Sequence, residues 1–204
     1  MLSFRRVGQR GDLVLSAAQR RNVLSRPLLD ALIRSLRELN GEDLACLTLT
    51  SASADIFAAG ADIRELAILD GESAPAYAEL GQELMALIAA FPVPVLALVA
   101  GPCFGGALDL ALACDAIWAA ENAVFCHPGI YLGIMTGFGG TVRLPARLPV
   151  RLARHMMLTG YRMPAREARR WGLVEKLFAN HGDLIAATGP IAQGAKVPGK
   201  RGHP

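Results

Sequence analysis

Two loops of small residues are the strongest chemical feature of the sequence. They span residues 57–63 (FAAGADI) and 101–107 (GPCFGGA), and each follows an apolar run typical of a buried strand. Small side chains let backbone N–H groups approach a substrate atom closely, and a helix beginning near Gly106 points the positive end of its dipole at that atom. Two such donors together could stabilise an oxyanion, although either loop alone is more simply explained as a packing turn.

Asp109 is the candidate for acid–base chemistry. It lies in the first turn of the helix that we expect after the second loop. A carboxylate there can transfer protons, but the helix dipole also stabilises it by about 0.3 to 1 kcal/mol without any chemical role. The residues alone leave both interpretations open.

Several common catalytic signatures are absent from the sequence. No GxGxxG follows a predicted strand, and neither GxxxxGK[ST] nor GxSxG occurs. The four histidines, at positions 127, 155, 181 and 203, never stand four residues apart, so no metal site is predicted. The pattern gives no support for a nucleotide hydrolase, a simple dehydrogenase, a serine hydrolase or a zinc protease.

Composition indicates one folded domain. The chain has 204 residues, 52% of them hydrophobic and 19% charged, which is enough to bury a sizeable core. We expect a single α/β domain over residues 1–195 and a disordered basic tail over residues 196–204. The net charge of +3 predicts no nucleic-acid partner.

Positive charge is concentrated in the C-terminal third. Residues 143–204 hold twelve Arg and Lys against three Asp and Glu, whereas residues 1–142 hold nine against fifteen. These basic residues could contact phosphates or form a solvated helix face, and the sequence leaves both open.

Neither the cysteines nor the apolar runs indicate export or membrane insertion. The cysteines, at positions 46, 103, 114 and 126, lack paired spacing, so we predict buried thiols in a reducing, cytoplasmic compartment. Residues 84–108 carry no charge, but Pro92, Pro94 and Pro102 divide them into pieces too short to span a bilayer. No secretory signal follows Met1.

Hydrophobic periodicity predicts alternating strands and helices. Strands are expected at residues 13–15, 44–50, 95–99, 117–119 and 124–125. Helices are expected at residues 25–41, 73–91 and 107–114, and the chain is expected to be mainly helical from residue 141 onward. This alternation is typical of a layered α/β domain with a mostly parallel sheet.

Five motifs occur in order between about Leu13 and Phe178. They are RRNVLS (20–25), FAAGADIRE (57–65), AGPCFGGALDLALACD (100–115), NAVFCHPGIYLGIMTGFGGTVRL (122–144) and LTGYRMPAREARRWGLVEKL (158–177). Together they resemble the crotonase family, also called the enoyl-CoA hydratase/isomerase family. Five ordered motifs are far more specific than a lone pair of glycines.

The resemblance implies a fold, an assembly and a substrate class. Members fold as a spiral of stacked β-β-α units, with two roughly perpendicular sheets and surrounding helices, and they assemble as trimers or dimers of trimers. They act on acyl-CoA thioesters, in which coenzyme A belongs to the substrate, and no separate cofactor is expected. The chain ends soon after GLVEKL, so we expect a homotrimer or hexamer that is either weakened or formed by a member with a shortened C-terminal helical region.

The resemblance also assigns roles to residues. The N–H groups of Ala61 and Gly106 would hold the thioester oxygen, and Asp109 stands where hydratases of the family carry their first catalytic glutamate. The coenzyme A would be lined by Ala59, Asp62 and Ile63, with Arg21 near its phosphates.

The sequence departs from the family at the second glutamate, which is Gly129 here. His127 and Tyr131 flank that position and could transfer a proton, although packing is the commoner role for each. We predict hydration of a 2-enoyl-CoA. Double-bond isomerisation, decarboxylation, thioester hydrolysis and non-catalytic acyl-CoA binding are the alternatives. A glutamate introduced at position 129 should restore a second acid if the loop accommodates a side chain.

Overall fold

The computed structural model describes residues 2–17 and 21–193. The strands are β1 (Leu2–Val7), β2 (Arg10–Leu15), β3 (Cys46–Ser51), β4 (Val95–Val99), β5 (Pro102–Phe104), β6 (Ala116–Ala120), β7 (Val124–Cys126), β8 (Met163–Pro164) and β9 (Lys176–Phe178). The helices are α1 (Arg26–Leu39), α2 (Ile63–Leu66), α3 (Ser73–Ala90), α4 (Gly106–Ala113), α5 (Gly140–Arg147), α6 (Val150–Thr159), α7 (Ala165–Arg170), α8 (His181–Ala186) and α9 (Gly189–Ala192), with a 3₁₀ helix at Pro128–Leu132.

The strands form two sheets. The larger sheet has the order β1-β2-β3-β4-β6-β9, and all of its pairs are parallel except β1 with β2. The smaller sheet has the order β5-β7-β8, with β5 and β7 parallel and β8 antiparallel to β7. The prediction of an α/β domain with a mostly parallel sheet is therefore confirmed.

Both faces of the larger sheet are buried. On β4, Val95, Ala97 and Val99 pack with the cluster that contains α1, α3 and α4, whereas Leu96 and Leu98 pack with Leu184 and Ile191 of α8 and α9. Burial on both sides explains why strands β3 and β4 are continuous apolar or β-branched runs rather than alternating ones.

Helix α4 carries Asp109 into the interior. All eight of its residues are buried, so the helix is apolar all round apart from that carboxylate. Amphipathic α1 instead buries one face, with leucines at helical spacing against the sheet. The Ser25 predicted to cap α1 occupies the cap position, although its side chain makes no capping hydrogen bond.

Several short strands escape sequence-based prediction. Five of the six residues of β1 are exposed, and antiparallel pairing with β2 defines the strand. Strand β5 occupies the segment predicted as a turn, and β8 and β9 interrupt the region predicted to be helical. The tail predicted to be disordered, residues 196–204, lies outside the described residues.

The apolar segment and the cysteines behave as predicted. The uncharged residues 84–108 divide among α3, β4, β5 and α4. Within residues 2–17 and 21–193, no helix is both long and apolar enough to cross a membrane. All four cysteines are free and buried.

Candidate active site

The two small-residue loops lie side by side. The N–H groups of Phe57 and Ala58 donate to Pro102 O at 3.1 and 3.2 Å, and Phe104 N donates to Ala58 O at 3.1 Å. Each loop follows a strand of the parallel sheet, so the sheet delivers both to the same edge. The sequence prediction that the loops act together agrees with this pairing.

The N–H groups of Ala61 and Gly106 come together at that edge. Gly60 has φ +91°, and a Cβ on it would lie 2.5 Å from Phe104 O and 3.2 Å from Gly106 N, so only glycine allows this approach. A Cβ on Gly106 would lie 3.6 Å from Ala61 N. In the described part of the chain neither N–H has a hydrogen-bond acceptor, and Gly106, as the first residue of α4, has no acceptor within the helix.

Asn22 holds the first loop in place. Its side-chain amide donates to Phe57 O at 2.8 Å and to Ser51 Oγ at 2.9 Å. The adjacent Arg21 O accepts from Ala59 N at 3.0 Å, while the Arg21 residue itself is exposed. Sequence reasoning missed the anchoring role of Asn22, which only the structure reveals: its side chain is buried, and Arg21 and Asn22 both have positive φ.

A cavity of about 450 Å³ opens beside the paired N–H groups. Its polar side chains are those of Tyr77, His127 and Thr136. The remaining side chains are small or apolar and come mainly from α2, α3, the 3₁₀ helix and the segment after it: Ala59, Ala61, Ile63, Leu66, Leu69, Ala74, Ala78, Pro128, Ile130, Leu132, Ile134, Met135, Phe138 and Met157. Such a wall suits an apolar group held by a few polar contacts.

The predicted coenzyme A residues separate into two groups. Ala59 and Ile63 line the cavity, whereas Asp62 and Arg21 do not. The Asp62 carboxylate caps α2 by accepting from Arg64 N at 2.9 Å, and it also binds the Arg64 guanidinium, which lowers the pKa of Asp62. Contact of these four residues with coenzyme A stays a prediction.

Asp109 is fully buried behind the cavity wall rather than in it. Its Oδ2 accepts a hydrogen bond from the Thr136 hydroxyl, and its Oδ1 lies 3.3 Å from His127 Nε2. Burial raises the pKa of Asp109 to about 7, against the opposing effects of the Thr136 hydrogen bond and the Arg143 charge. Burial also lowers the pKa of His127 to about 4. Near neutrality His127 is therefore uncharged, whereas Asp109 is close to the midpoint of its titration.

The structure explains why position 129 is a glycine. A Cβ there would lie 2.6 Å from Ile134 O, because the chain folds back and Ile134 N donates to Gly129 O at 3.0 Å. A side chain at position 129 therefore requires the backbone to shift, so the condition under which a glutamate there would restore a second acid is not met in this conformation. Tyr131, which also flanks position 129, is not among the residues that line the cavity. It is 70% exposed, and its hydroxyl donates to Thr159 O at 2.8 Å.

Comparison with known proteins identifies the family and the fold. Residues 13–189 match the sequence family described as Enoyl-CoA hydratase/isomerase. An enoyl-CoA hydratase from Bacillus anthracis is 32% identical, with a TM-score of 0.88 over 94% of this chain and 75% of that one. An enoyl-CoA hydratase from Thermoplasma volcanium is 28% identical, with a TM-score of 0.89 over 95% of this chain and 78% of that one.

A third structure, Pseudomonas aeruginosa DspI, is 28% identical, with a TM-score of 0.88 over 94% of this chain and 73% of that one. The matched region contains the paired loops, α4 and the 3₁₀ helix. The crotonase fold implied by the five motifs is confirmed, and the chain belongs to the enoyl-CoA hydratase/isomerase family.

Proposed function

We propose that this protein adds water to the double bond of a 2-enoyl-CoA through a thioester enolate. The observation that carries the proposal is the pair of acceptor-free N–H groups, Ala61 and Gly106, at an apolar cavity with one buried carboxylate behind it. Family membership supports a crotonase-type reaction of an acyl-CoA.

The paired N–H groups would bind the thioester oxygen. As a nucleophile adds at Cβ, or as a proton leaves Cα, negative charge builds on that oxygen. Fixed backbone donors stabilise the charge without reorganising, and one such donor is typically worth about 10² to 10³ in kcat. The positive end of α4 points the same way and adds to the effect.

The apolar wall would hold the acyl chain. Leu66, Leu69 and Tyr77 come from α2, α3 and the segment between them, and Ile130 and Met135 come from the opposite side. An acyl chain between these two groups would exclude water from the reacting carbons, while the coenzyme A would leave along Ala59 and Ile63.

Double-bond isomerisation is the second candidate, and Gly129 is the observation that favours it. Water addition by the two-carboxylate route needs a second acid, which the close packing of Gly129 against Ile134 O forbids. A shift of the double bond needs only one group that removes a proton and returns it.

Product analysis separates these functions. The protein is incubated with short and medium 2-enoyl-CoA, 3-enoyl-CoA and malonyl-type CoA esters, and the products are identified by mass spectrometry. Hydration yields a product heavier by one water, whereas isomerisation leaves the mass unchanged, and decarboxylation and thioester hydrolysis give their own masses. Tight binding of every ester without turnover would overturn the enzymatic proposal and indicate a binding subunit.

The assembly is also a proposal. Ile130, Tyr131 and Leu132 of the 3₁₀ helix and Leu158 of α6 are exposed, and exposed apolar groups of this kind favour a subunit contact. We expect a homotrimer or hexamer. A monomer in light scattering at micromolar concentration would contradict it.

A further inference from the structure

His127 stands between Asp109 and the cavity. His127 contributes to the cavity wall, whereas Asp109 does not. The histidine is 4% exposed, and its Nε2 lies 3.3 Å from Asp109 Oδ1. Among the described residues, the His127 imidazole and the Thr136 hydroxyl both line the cavity and approach Asp109. Of the two, the imidazole is the group that can accept a proton near neutral pH.

Among the residues that the structure describes, the two facing atoms have no other partner. Asp109 Oδ1 and His127 Nε2 are both buried, and neither makes a hydrogen bond with a described residue. Leaving two buried polar atoms unpaired is costly, and a proton placed between them satisfies both at once. The other ring nitrogen, Nδ1, also has no hydrogen bond within the described chain, which leaves it for a ligand or water in the cavity.

We propose that His127 is the catalytic acid–base residue that contacts the substrate, and that Asp109 is a positioning residue acting through it. This inference rests on the proposed acyl-CoA chemistry and names the group that moves its protons. When Nε2–H donates to the Asp109 carboxylate, Nδ1 keeps its lone pair, which is the form of histidine that accepts a proton. In the proposed role this lone pair serves the cavity that His127 lines.

One histidine can carry out both proton transfers of hydration. The water oxygen bonds to Cβ while His127 Nδ1 takes a proton from that water, and the π electrons of the double bond move onto the thioester oxygen. The Nδ1 proton then goes to Cα as the carbonyl re-forms, so one water has added and His127 is neutral again. The Asp109 carboxylate stabilises the intermediate imidazolium. This single-residue route accounts for a functional site without a second acid at position 129.

Other groups around the pair influence it without replacing it. The Thr136 hydroxyl binds the far oxygen of Asp109, and the charge of Arg143 favours the carboxylate form. Cys103, which feels the Asp109 charge, stays a thiol because burial raises its pKa well above the usual value. Neither Cys103 nor Arg143 lines the cavity. Thr136 does line it, but an aliphatic hydroxyl is far too weak a base to take a proton from water near neutral pH.

The kinetic test compares three variants. His127→Gln keeps a polar side chain of similar size but cannot transfer a proton, and Asp109→Asn removes the charge behind it. His155→Gln is the matched control, because His155 is exposed on α6. We expect His127→Gln to lower kcat by about 10² to 10⁴ with little change in KM, and His155→Gln to leave both unchanged. A His127→Gln enzyme with the wild-type rate beside an inactive Asp109→Asn enzyme would overturn the proposal.

A second readout separates this inference from the proposed reaction. Exchange of the Cα hydrogens of butyryl-CoA in deuterium oxide needs an enolate and a base but no hydration. If the wild type exchanges the Cα hydrogens and His127→Gln does not, His127 is supported as the base even if no enoyl-CoA is hydrated. If the wild-type protein shows no exchange, the catalytic role of His127 is overturned.

Nitrogen NMR of histidine-labelled protein tests the pairing itself. In the wild type we expect the His127 ring to hold its proton on Nε2 and to respond to the titration of Asp109. This response should vanish in Asp109→Asn, while His155 should be unaffected. A His127 spectrum that is identical in wild type and Asp109→Asn would overturn the role of Asp109 as a positioning residue.

Discussion

The two halves of the site are built in different ways. The donor half, residues 57–63 and 101–106, consists of backbone N–H groups whose positions follow from glycine conformations and strand ends. The acid–base half consists of Asp109, His127 and Thr136, side chains from three separate segments that meet in the interior. Backbone donors cannot titrate, whereas the buried pair can, so the two halves should respond differently to mutation and to pH.

The largest effect expected in the donor half comes from removing a donor. Gly106→Pro deletes the N–H and should lower kcat by about 10² to 10³ at every pH. Gly106→Ala is the matched control, because it adds the same Cβ, 2.9 Å from the Phe138 ring, but keeps the N–H. The ratio of kcat between the two folded variants isolates the donor. Equal rates would show that the Gly106 N–H does not hold the oxyanion.

The second effect concerns the free energy of unfolding as a function of pH. Asp109 has a pKa of about 7 in the fold against an ordinary 3.8, so the folded state holds an extra proton and stability falls as pH rises through this range. His127 has a pKa of about 4 against 6.5, so the folded state lacks a proton and stability rises with pH. Between pH 4 and 6.5 the two contributions oppose each other in the wild type.

Single variants should expose each contribution. Relative to wild type, the free energy of unfolding of Asp109→Asn should rise with pH by about 1.4 kcal/mol per unit, and that of His127→Gln should fall by about the same slope. Urea unfolding at several values between pH 4.5 and 6.5 measures both. Slopes of the same sign in the two variants would contradict the opposing burial of the two groups.

The third effect is the cost of a side chain at position 129. Gly129→Ala and Gly129→Glu should each lower the free energy of unfolding by about 1 to 3 kcal/mol, because the Cβ itself meets Ile134 O. Gly71→Ala is the control, since a Cβ there meets nothing within 4 Å. Gly129→Glu should not increase the rate of hydration. A stable and faster Gly129→Glu enzyme would show that a second carboxylate can be accommodated.

The sequence predicts the two loops of the donor half, while the donor role of Ala61 and Gly106 stays a prediction that comes from the family resemblance. The acid–base half could be predicted only in part. Small residues after apolar strand runs indicate the loops that contain Ala61 and Gly106, because strand ends and glycines are local features. The position of Asp109 was also predicted, but its separation from the cavity depends on α4 being buried all round. Contacts of His127 and Thr136 with Asp109 join residues 18 and 27 positions away, and no local pattern indicates them.

The smallest expected effect is a shift in the pKa of Asp109 when the Thr136 hydroxyl is removed. The Thr136 hydroxyl donates to Asp109 Oδ2 and lowers the pKa of that carboxyl group, because it stabilises the charged form. Thr136→Val keeps the shape of the side chain and removes the hydroxyl, so the pKa of Asp109 should rise. A hydrogen bond of about 1 kcal/mol corresponds to a shift of roughly one pH unit or less.

If the deprotonated pair is the active base, the activity of the wild type should increase as pH rises through the pKa of Asp109. The rising limb of kcat/KM should then move to higher pH in Thr136→Val. Thr159→Val is the control, because its exposed hydroxyl donates to His155 O within α6. If the rising limb of Thr136→Val stays in place or moves to lower pH, Asp109 does not control the pH dependence. Gly106→Ala should leave the rising limb at its wild-type pH, because a backbone donor carries no titratable charge.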